Sequence, residues 1–215
     1  MTRCCAPSSG FAIVATQPDG PVVVAATRLE ARAVRRRAPR ANVVESGVAL
    51  ARIDGVAAWD VAISVGLAGG LQRNLPTGTI VIPSALATTG GAARVCDAAW
   101  TARLRDAARR LGYACIDGAL LTSETLVAGD ARAAWGARGF VAVDMETARI
   151  PARSIAAVRV VLDTPERELS PDWLNPARAM LRPKNWGALV WLAREGPRCA
   201  DLAARVVAVA LHEQR

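Results

Sequence analysis

Short apolar runs rich in valine and isoleucine recur along this chain, and segments of helical composition separate them. The clearest runs are 22–26, 59–65, 79–82, 141–143 and 157–162. Apolar runs of this length, bounded by glycine, proline or charged residues, are typical of strands buried inside a sheet. Strands that alternate with helices predict an α/β protein with a parallel or mixed central sheet.

Helical patterns fill most of the intervening chain. We expect helices at 28–38, 98–112 and 130–138, and two more, at 185–193 and 197–212, towards the end. A chain of 215 residues has the length of one domain. We expect an N-terminal extension at 1–20 and a single domain at 21–215.

The composition excludes several kinds of chemistry. His212 is the single histidine, so a Ser-His-Asp triad and a histidine-based zinc site are both excluded. The five cysteines form no CxxC pair, which favours a reduced, cytoplasmic protein. No apolar stretch has the character of a secretory signal or a membrane span.

The formal net charge of +8 suits nucleic acid, an anionic membrane surface or a solvated face equally well. The only tight basic run, at 35–37, has no interleaved aromatic residue, and aromatics make up 4% of the chain. Because bases stack on aromatic side chains, we expect no nucleic-acid partner. Peripheral membrane contact stays open as an alternative.

Candidate ligand-binding residues follow the predicted strands, since α/β proteins bind ligands at the carboxyl ends of strands. Arg28 and Glu30 follow the first strand, and the glycine-rich stretch 66–70 follows the run 59–65. Asp144 and Glu146 follow 141–143, and Asp163 follows 157–162. Each has an ordinary structural alternative. The glycines are also typical of a tight turn, and Asp163 could cap a turn. The two glutamates could be ordinary exposed residues of helices.

Taken together and in order, the segments ISVGLAGGLQRNLPTGTIVIPS, SETLV, AVDMETA and VRVVLD resemble the purine nucleoside phosphorylase and nucleosidase superfamily. The continuation VRVVLDTPERELSP is most similar to the hopanoid-associated phosphorylase branch. The resemblance implies a single-domain, nucleoside-phosphorylase-like three-layer fold, with a mixed central β-sheet flanked by helices. It also implies cleavage of the N-glycosidic bond of a purine nucleoside.

The resemblance assigns roles to individual residues. Asp163 matches the acid that contacts the purine, where a protonated carboxyl would donate towards N7. Glu146 matches the glutamate that binds the ribose hydroxyls, and Met145 packs against the sugar. Glu30 matches the carboxylate that activates water in nucleosidases. Further expected binding residues are Arg28 for phosphate, Gly66, Ala68 and Gly69 for the sugar or nucleophile, and Leu126 and Val127 for the base.

The chain departs from the family pattern at several positions. Leu67 stands where many members carry a serine or threonine that binds phosphate or water, and Leu126 replaces an aromatic residue. The link 53–59 is shorter than the helix usual at that point. The other departures are Thr79 for an acidic residue and Leu162 for a serine. Phosphorolysis is therefore supported less well than glycosidic cleavage itself.

From this resemblance we expect a phosphorylase (a glycosyltransferase) that releases adenine from an adenosine-type nucleoside. The branch implies adenosylhopane as substrate and a place in hopanoid biosynthesis, with Trp173, Trp186 and Trp191 as candidates to cover a lipid. Phosphate would be the co-substrate, with no metal or organic cofactor, and the chain would form a homo-oligomer. The alternatives are a water-using nucleosidase of the methylthioadenosine/adenosylhomocysteine type and a non-catalytic purine-binding protein.

Overall fold

The structure is a computed structural model that describes residues 20–53, 55–169 and 186–212. In these residues ten strands form one mixed sheet, and four α-helices pack around it. The strands are β1 (Val22–Ala25), β2 (Val43–Glu45), β3 (Trp59–Gly70), β4 (Ile80–Val81), β5 (Ala85–Thr88), β6 (Ala93–Val95), β7 (Cys115–Ile116), β8 (Ala119–Thr122), β9 (Phe140–Asp144) and β10 (Ala152–Asp163). The helices are α1 (Arg28–Arg37), α2 (Ala98–Arg110), α3 (Gly129–Ala137) and α4 (Trp186–His212). The expected α/β fold with a mixed central sheet is confirmed.

Two long parallel strands, β3 and β10, form the middle of the sheet. The strand order is β6–β5–β8–β9–β3–β10–β4–β7, and β1 pairs in parallel with both β2 and β3. Because β1, β3 and β10 run in the same direction, their carboxyl ends lie at one edge of the sheet. That edge carries the residues that follow Ala25, the glycines at the end of β3, and Asp163.

Both faces of the sheet are buried, as the apolar runs predict. Successive residues of a strand point to opposite faces. Val23 and Ala25 belong to a core beneath α1, α2 and α4, and Val22 and Val24 belong to a second core on the other face. The sheet therefore has no solvent-facing side at its centre, and ligands have access to it only at its edges.

The glycine-rich stretch 66–70 was expected to form a loop, and this was wrong, because β3 continues through it to Gly70. Its last residues pair with β9 on one side and β10 on the other. Charged side chains approach β3 closely at Gly66 and Gly69. They can do so because these two residues have no Cβ, whereas any other residue would place a side chain in the same space.

The chain ends in one helix, α4, rather than the two that we expected. Pro197 lies inside it and removes one backbone donor, a change that costs about 3 kcal/mol in a helix interior. Cys199, Ala203 and Val207, on one face of the helix after the proline, are fully buried, and α4 packs against α1, α2, β3 and β10. This packing keeps the helix continuous through the proline.

Several expectations fall outside the described residues. They concern Trp173, the side chain of Trp186 and residues 1–19 of the expected extension, so the domain boundary at residue 20 stays a prediction. Trp191 is described. It packs against the main core, and the guanidinium of Arg167 lies 4.5 Å from the centre of its ring.

Candidate active site

Glu30 is buried at the start of α1, with 4% of its surface exposed. Thr27 caps the helix by accepting a hydrogen bond from the Glu30 backbone N–H. In return, Oε2 of Glu30 accepts hydrogen bonds from the backbone N–H and the hydroxyl of Thr27, at 2.8 and 2.7 Å. This reciprocal capping box fixes the side chain. The other oxygen, Oε1, accepts a hydrogen bond of 2.8 Å from the Leu67 backbone N–H on β3.

Glu30 and Arg159 meet at Gly66. A Cβ built on Gly66 would overlap Oε1 of Glu30 and lie 2.7 Å from Nη1 of Arg159. Glycine is therefore required here, because any side chain would displace two buried charged groups.

A Gly66→Ala variant is expected to lose most of its activity, since the added methyl must push Glu30 and Arg159 out of position. Misplacement of a catalytic group by about 1 Å costs on the order of 100-fold in rate. The measurement is kcat on a purine nucleoside, with circular dichroism as the check on folding. Gly187→Ala is the matched control, because a Cβ at Gly187 meets nothing within 4 Å. Wild-type activity in Gly66→Ala would contradict the close approach described above.

Arg159 is fully buried in β10 and is held by a polar network. Its Nε and Nη2 donate to Oδ2 of Asp144 at 2.9 and 2.7 Å, and Nη2 also donates to the hydroxyls of Ser64 and Thr147 at 2.7 and 2.6 Å. Burial alone would lower the pKa of Arg159, but the carboxylates of Asp144, Glu146 and Glu30 raise it above its ordinary value. Arg159 therefore supplies a permanent positive charge among three acidic residues.

Glu146 lies beyond the end of β9 and is also buried. Its Oε1 accepts a hydrogen bond of 3.0 Å from the backbone N–H of Ala49, which has the unusual positive φ of 54°. Burial, and after it the charge of Asp144, raises the pKa of Glu146 to about 7, although Arg159 opposes this. Glu146 is thus a carboxyl group that changes its charge near neutral pH.

Asp163 ends β10 and forms a buried ion pair with Arg132 of α3, in which Nη2 of Arg132 donates to Oδ2. The expected role of Asp163 as a proton donor to the purine stays a prediction.

A small cavity of about 40 Å³ lies in front of Asp163 and Arg132. It brings together five of the residues expected to bind substrate, namely Gly69, Leu126, Val127, Met145 and Asp163. Ligand pockets are usually several hundred Å³. A purine can therefore enter only if the side chains around this cavity move, and the half-buried Leu126 on the loop before α3 is placed to do so.

Two expected binding residues, Arg28 and Ala68, do not line this cavity. The side chain of Arg28 is 74% exposed, and its Nε lies 3.8 Å from Oε1 of Glu45. Ala68 is buried in the second core and pairs with Val161 on β10. Arg28 therefore lies at the surface, and Ala68 can contact a ligand only through its backbone.

Sequence analysis missed two charged residues of this region, namely Arg132 and Arg159, and it named Asp144 as a candidate without giving it a role. Arg159 could have been found, because a charged residue inside an apolar strand requires a buried partner. Asp144, the last residue of β9, is the buried partner. Arg132 gives no comparable signal, since arginine in a short helix is normally exposed.

The sequence profile of the phosphorylase superfamily matches residues 7–150. The chain belongs to the phosphorylase superfamily. It is accordingly an enzyme of the nucleoside phosphorylase or nucleosidase kind, as we expected. No protein of curated function matches the sequence.

Solved structures with the same fold include nucleosidases. A 5'-methylthioadenosine/S-adenosylhomocysteine nucleosidase from Neisseria meningitidis, in complex with methylthio-immucillin-A, is 19% identical with a TM-score of 0.65, and the match covers 89% of this chain and 98% of that one. An S-adenosylhomocysteine nucleosidase from Streptococcus pyogenes is 16% identical with a TM-score of 0.66, over 90% and 96% of the two chains. Futalosine hydrolase of Helicobacter pylori is 12% identical with a TM-score of 0.61, over 89% and 97%.

Two further observations concern the described residues. Within 20–53, 55–169 and 186–212, no group of three or more histidine, cysteine, aspartate or glutamate side chains is placed to hold a metal ion. In the same ranges, no helix is both long enough and apolar enough to cross a membrane.

Proposed function

We propose that this enzyme hydrolyses the N-glycosidic bond of an adenosine-type purine nucleoside. The observation that carries the proposal is a pair of buried carboxyl groups along one strand. Glu30 lies against Gly66, and Asp163 lies against Gly69. Three residues of a strand span about 10 Å. A nucleoside bound at this edge would place its base at Asp163 and its anomeric carbon towards Glu30 once the side chains around the small cavity have moved.

Glu30 is the proposed general base. It is fixed by Thr27 and Leu67, and it lies beside the positive charge of Arg159. Water attacks C1′ of the sugar and gives its proton to Glu30 while the bond from C1′ to N9 of the purine breaks. The electron pair of that bond goes to the purine, which takes up a proton from bulk water, and the products are the free base and the free sugar; Glu30 returns its proton to solvent.

Glu146 and Met145 are the proposed sugar-binding residues. In its ionised form the Glu146 carboxylate accepts hydrogen bonds from ribose hydroxyls, which gain strength as the sugar becomes cationic in the transition state. To do so it must exchange the Ala49 backbone N–H for the substrate. The charge of this one residue then controls substrate capture near neutral pH.

Asp163 is the proposed contact to the purine, with Leu126 and Val127 packing against the base. A carboxylate at this position stabilises the proton that N7 holds as electron density moves onto the ring. The purine then leaves as a neutral molecule, which is a better leaving group than an anion.

We favour water over phosphate, which reverses our order of preference from the sequence. Arg28, the expected phosphate ligand, is exposed and lies near Glu45. Arg159 forms an ion pair with Asp144, so its charge is already balanced by a carboxylate. Leu67 offers its backbone N–H to Glu30 and has no hydroxyl to give a phosphate. The fold relatives described above, two nucleosidases and a hydrolase by name, are consistent with this choice.

The structure constrains the 5′ substituent of the proposed substrate less than it constrains the base or the sugar. An open cavity of about 470 Å³ lies beside the glutamate that would bind ribose, lined by Ala49, Leu50, Ile53, Val56, Arg149 and Pro151. Its position next to Ala49 supports a bulky 5′ group, and adenosylhopane stays our proposal for such a substrate. Phosphorolysis, a homo-oligomeric state, cytoplasmic location and peripheral membrane contact also stay predictions.

The test is release of free purine by the purified protein from adenosine, 5′-methylthioadenosine and adenosylhopane, with and without phosphate. Release without phosphate is expected. Release only with phosphate would assign the phosphorylase reaction instead, and binding without release would assign a purine-binding protein.

The pH dependence of kcat/KM tests the role of Glu146. Because the pKa of Glu146 is about 7 in the free protein, kcat/KM is expected to rise with pH through neutrality as the carboxylate forms. A Glu146→Gln variant should have a low kcat/KM without this step, whereas the exposed Glu124→Gln should retain the wild-type profile. The same pH step in Glu146→Gln would contradict the assignment.

The same pKa shift predicts that the stability of the protein falls with rising pH, whereas kcat/KM rises. The pKa of Glu146 is raised on folding, so the unfolded chain loses the proton first as the pH rises above 4.5, the ordinary pKa of this side chain. The free energy of unfolding should therefore fall between about pH 4.5 and about pH 7, and Glu146→Gln should lack this decrease.

A further inference from the structure

A tight turn at residues 47–51 contacts the buried carboxyl group of Glu146. The backbone N–H of Ala49, at the tip of the turn, donates to Oε1 of Glu146 at 3.0 Å. At the base of the turn, the N–H of Arg52 donates to the carbonyl of Ser46 at 2.8 Å. The turn is therefore a small loop closed at its base, and its tip occupies the carboxyl group that would bind ribose.

The backbone of this turn is strained. Among the described residues, Ala49 with φ 54° and Leu50 with φ 66° are the two residues other than glycine that have a positive φ. In this left-handed conformation the Cβ crowds the following carbonyl oxygen, which lowers the population by about 10-fold for each such residue. Strain of this kind persists only where other contacts hold it. The hydrogen bond to Glu146 and the packing of Leu50 against the second core are two such contacts.

The turn also has room to move. Ala49 and Leu50 form part of the wall of the open cavity of about 470 Å³, so there is space beside the turn into which its tip can be displaced. Val48, at its start, is 47% exposed. Gly47, with φ 74°, is a point at which the backbone can pivot without a steric penalty. Displacement of the tip about Gly47 would free Glu146 and leave the sheet undisturbed.

We propose that the turn 47–51 is an autoinhibitory plug, whose tip takes the place of a ribose hydroxyl at Glu146 in the empty enzyme and is displaced by the nucleoside. This inference rests on the proposed function, because it requires that Glu146 binds the sugar. A ribose hydroxyl can donate to the same oxygen, so sugar binding exchanges one donor for another. The strain released when the turn opens offsets part of the cost of this exchange. The balance between closed and open turns then sets the affinity for the substrate.

The first experiment removes the strain with an Ala49→Gly variant. Glycine adopts the closed conformation without the steric penalty, so the plug is more stable in this variant. KM for 5′-methylthioadenosine is expected to rise about 3- to 10-fold, with the loss on KM rather than on kcat, while the thermal unfolding midpoint of the empty enzyme rises. A merely structural turn would raise the unfolding midpoint and leave KM unchanged.

Ala51→Gly is the matched control. Ala51 belongs to the same turn, but its φ is −57°, where glycine relieves no strain. Neither KM nor the unfolding midpoint should rise in this variant. Ala49→Pro has the opposite effect to Ala49→Gly, because proline fixes φ at about −65° and has no N–H, so the plug cannot close. KM should therefore fall below that of the wild type in Ala49→Pro.

Hydrogen exchange at the Ala49 amide reports the displacement directly. When the nucleoside takes the Glu146 carboxyl group, the N–H of Ala49 loses its acceptor, so its exchange should become at least about 10-fold faster. The Arg52 amide at the base of the turn serves as the internal reference and should not become faster. The measurement uses a Glu30→Gln variant with and without saturating 5′-methylthioadenosine, so that slow turnover keeps the nucleoside intact.

Three results would overturn the inference. They are an Ala49 amide whose exchange is slower or unchanged when 5′-methylthioadenosine binds, an Ala49→Gly variant with unchanged KM, and a folded Ala49→Pro variant whose KM does not fall. With purine release intact, any of them removes the plug and leaves the proposed function standing. Wild-type protein that neither binds nor cleaves a purine nucleoside would instead contradict the proposed function, and this inference with it.

Discussion

An Asp163→Asn variant is expected to release purine about 100- to 10,000-fold more slowly than the wild type, the range found when a group that handles a proton in the transition state is removed. Asparagine keeps the shape of the side chain and an oxygen for Arg132, but it has no charge to stabilise a proton on the leaving base. The measurement is kcat on adenosine or 5′-methylthioadenosine under saturating substrate.

Asp130→Asn is the matched control, because Asp130 is an exposed acid in the first turn of α3 and lies on the same helix as Arg132. Breaking a buried ion pair destabilises a protein by about 3–5 kcal/mol. The thermal unfolding midpoint of Asp163→Asn must therefore be measured beside its rate. A folded Asp163→Asn variant with wild-type kcat would remove Asp163 from the site.

A Glu30→Gln variant is expected to lose about 100- to 10,000-fold in the water reaction, because glutamine cannot take the proton of the attacking water. The loss should fall on kcat rather than on KM, since Glu30 acts on the nucleophile and not on the base. The measurement is purine release in phosphate-free buffer, with the exposed Glu124→Gln as control.

Phosphate distinguishes the two candidate nucleophiles in the same variant. Hydrolysis predicts that added phosphate restores nothing in Glu30→Gln. Full activity of Glu30→Gln in the presence of phosphate would show that Glu30 is only a helix-capping residue and that phosphate is the nucleophile.

β9 runs antiparallel to β3, so the position of Glu146 does not follow from the rule that ligands bind at the carboxyl ends of parallel strands. The sequence predicts that Glu30 and Asp163 lie at one edge of the sheet, because each follows an apolar run. It does not predict how the carboxyl groups are paired. The ion pair between Arg132 and Asp163 joins residues 31 positions apart on a helix and a strand, and only the packing of α3 over the cavity brings them together.

Local sequence predicted the wrong secondary structure at two places where tertiary packing outweighs local preference. The glycines at 66–70 have the composition of a turn, yet they extend β3 because the missing side chains make room for Glu30, Arg132 and Arg159. Pro197 has the character of a helix breaker, yet the buried face of α4 continues past it. The short strands β5, β6 and β7 carry no apolar run long enough to predict them.

The most direct test of the proposed reaction is one incubation of the enzyme with 5′-methylthioadenosine in ¹⁸O-labelled water that also contains phosphate, followed by mass spectrometry of the products. Hydrolysis predicts free adenine and a sugar that carries ¹⁸O at C1′. A sugar phosphate without the label would contradict water as the nucleophile, and intact nucleoside, also with adenosine and adenosylhopane, would contradict glycosidic cleavage altogether.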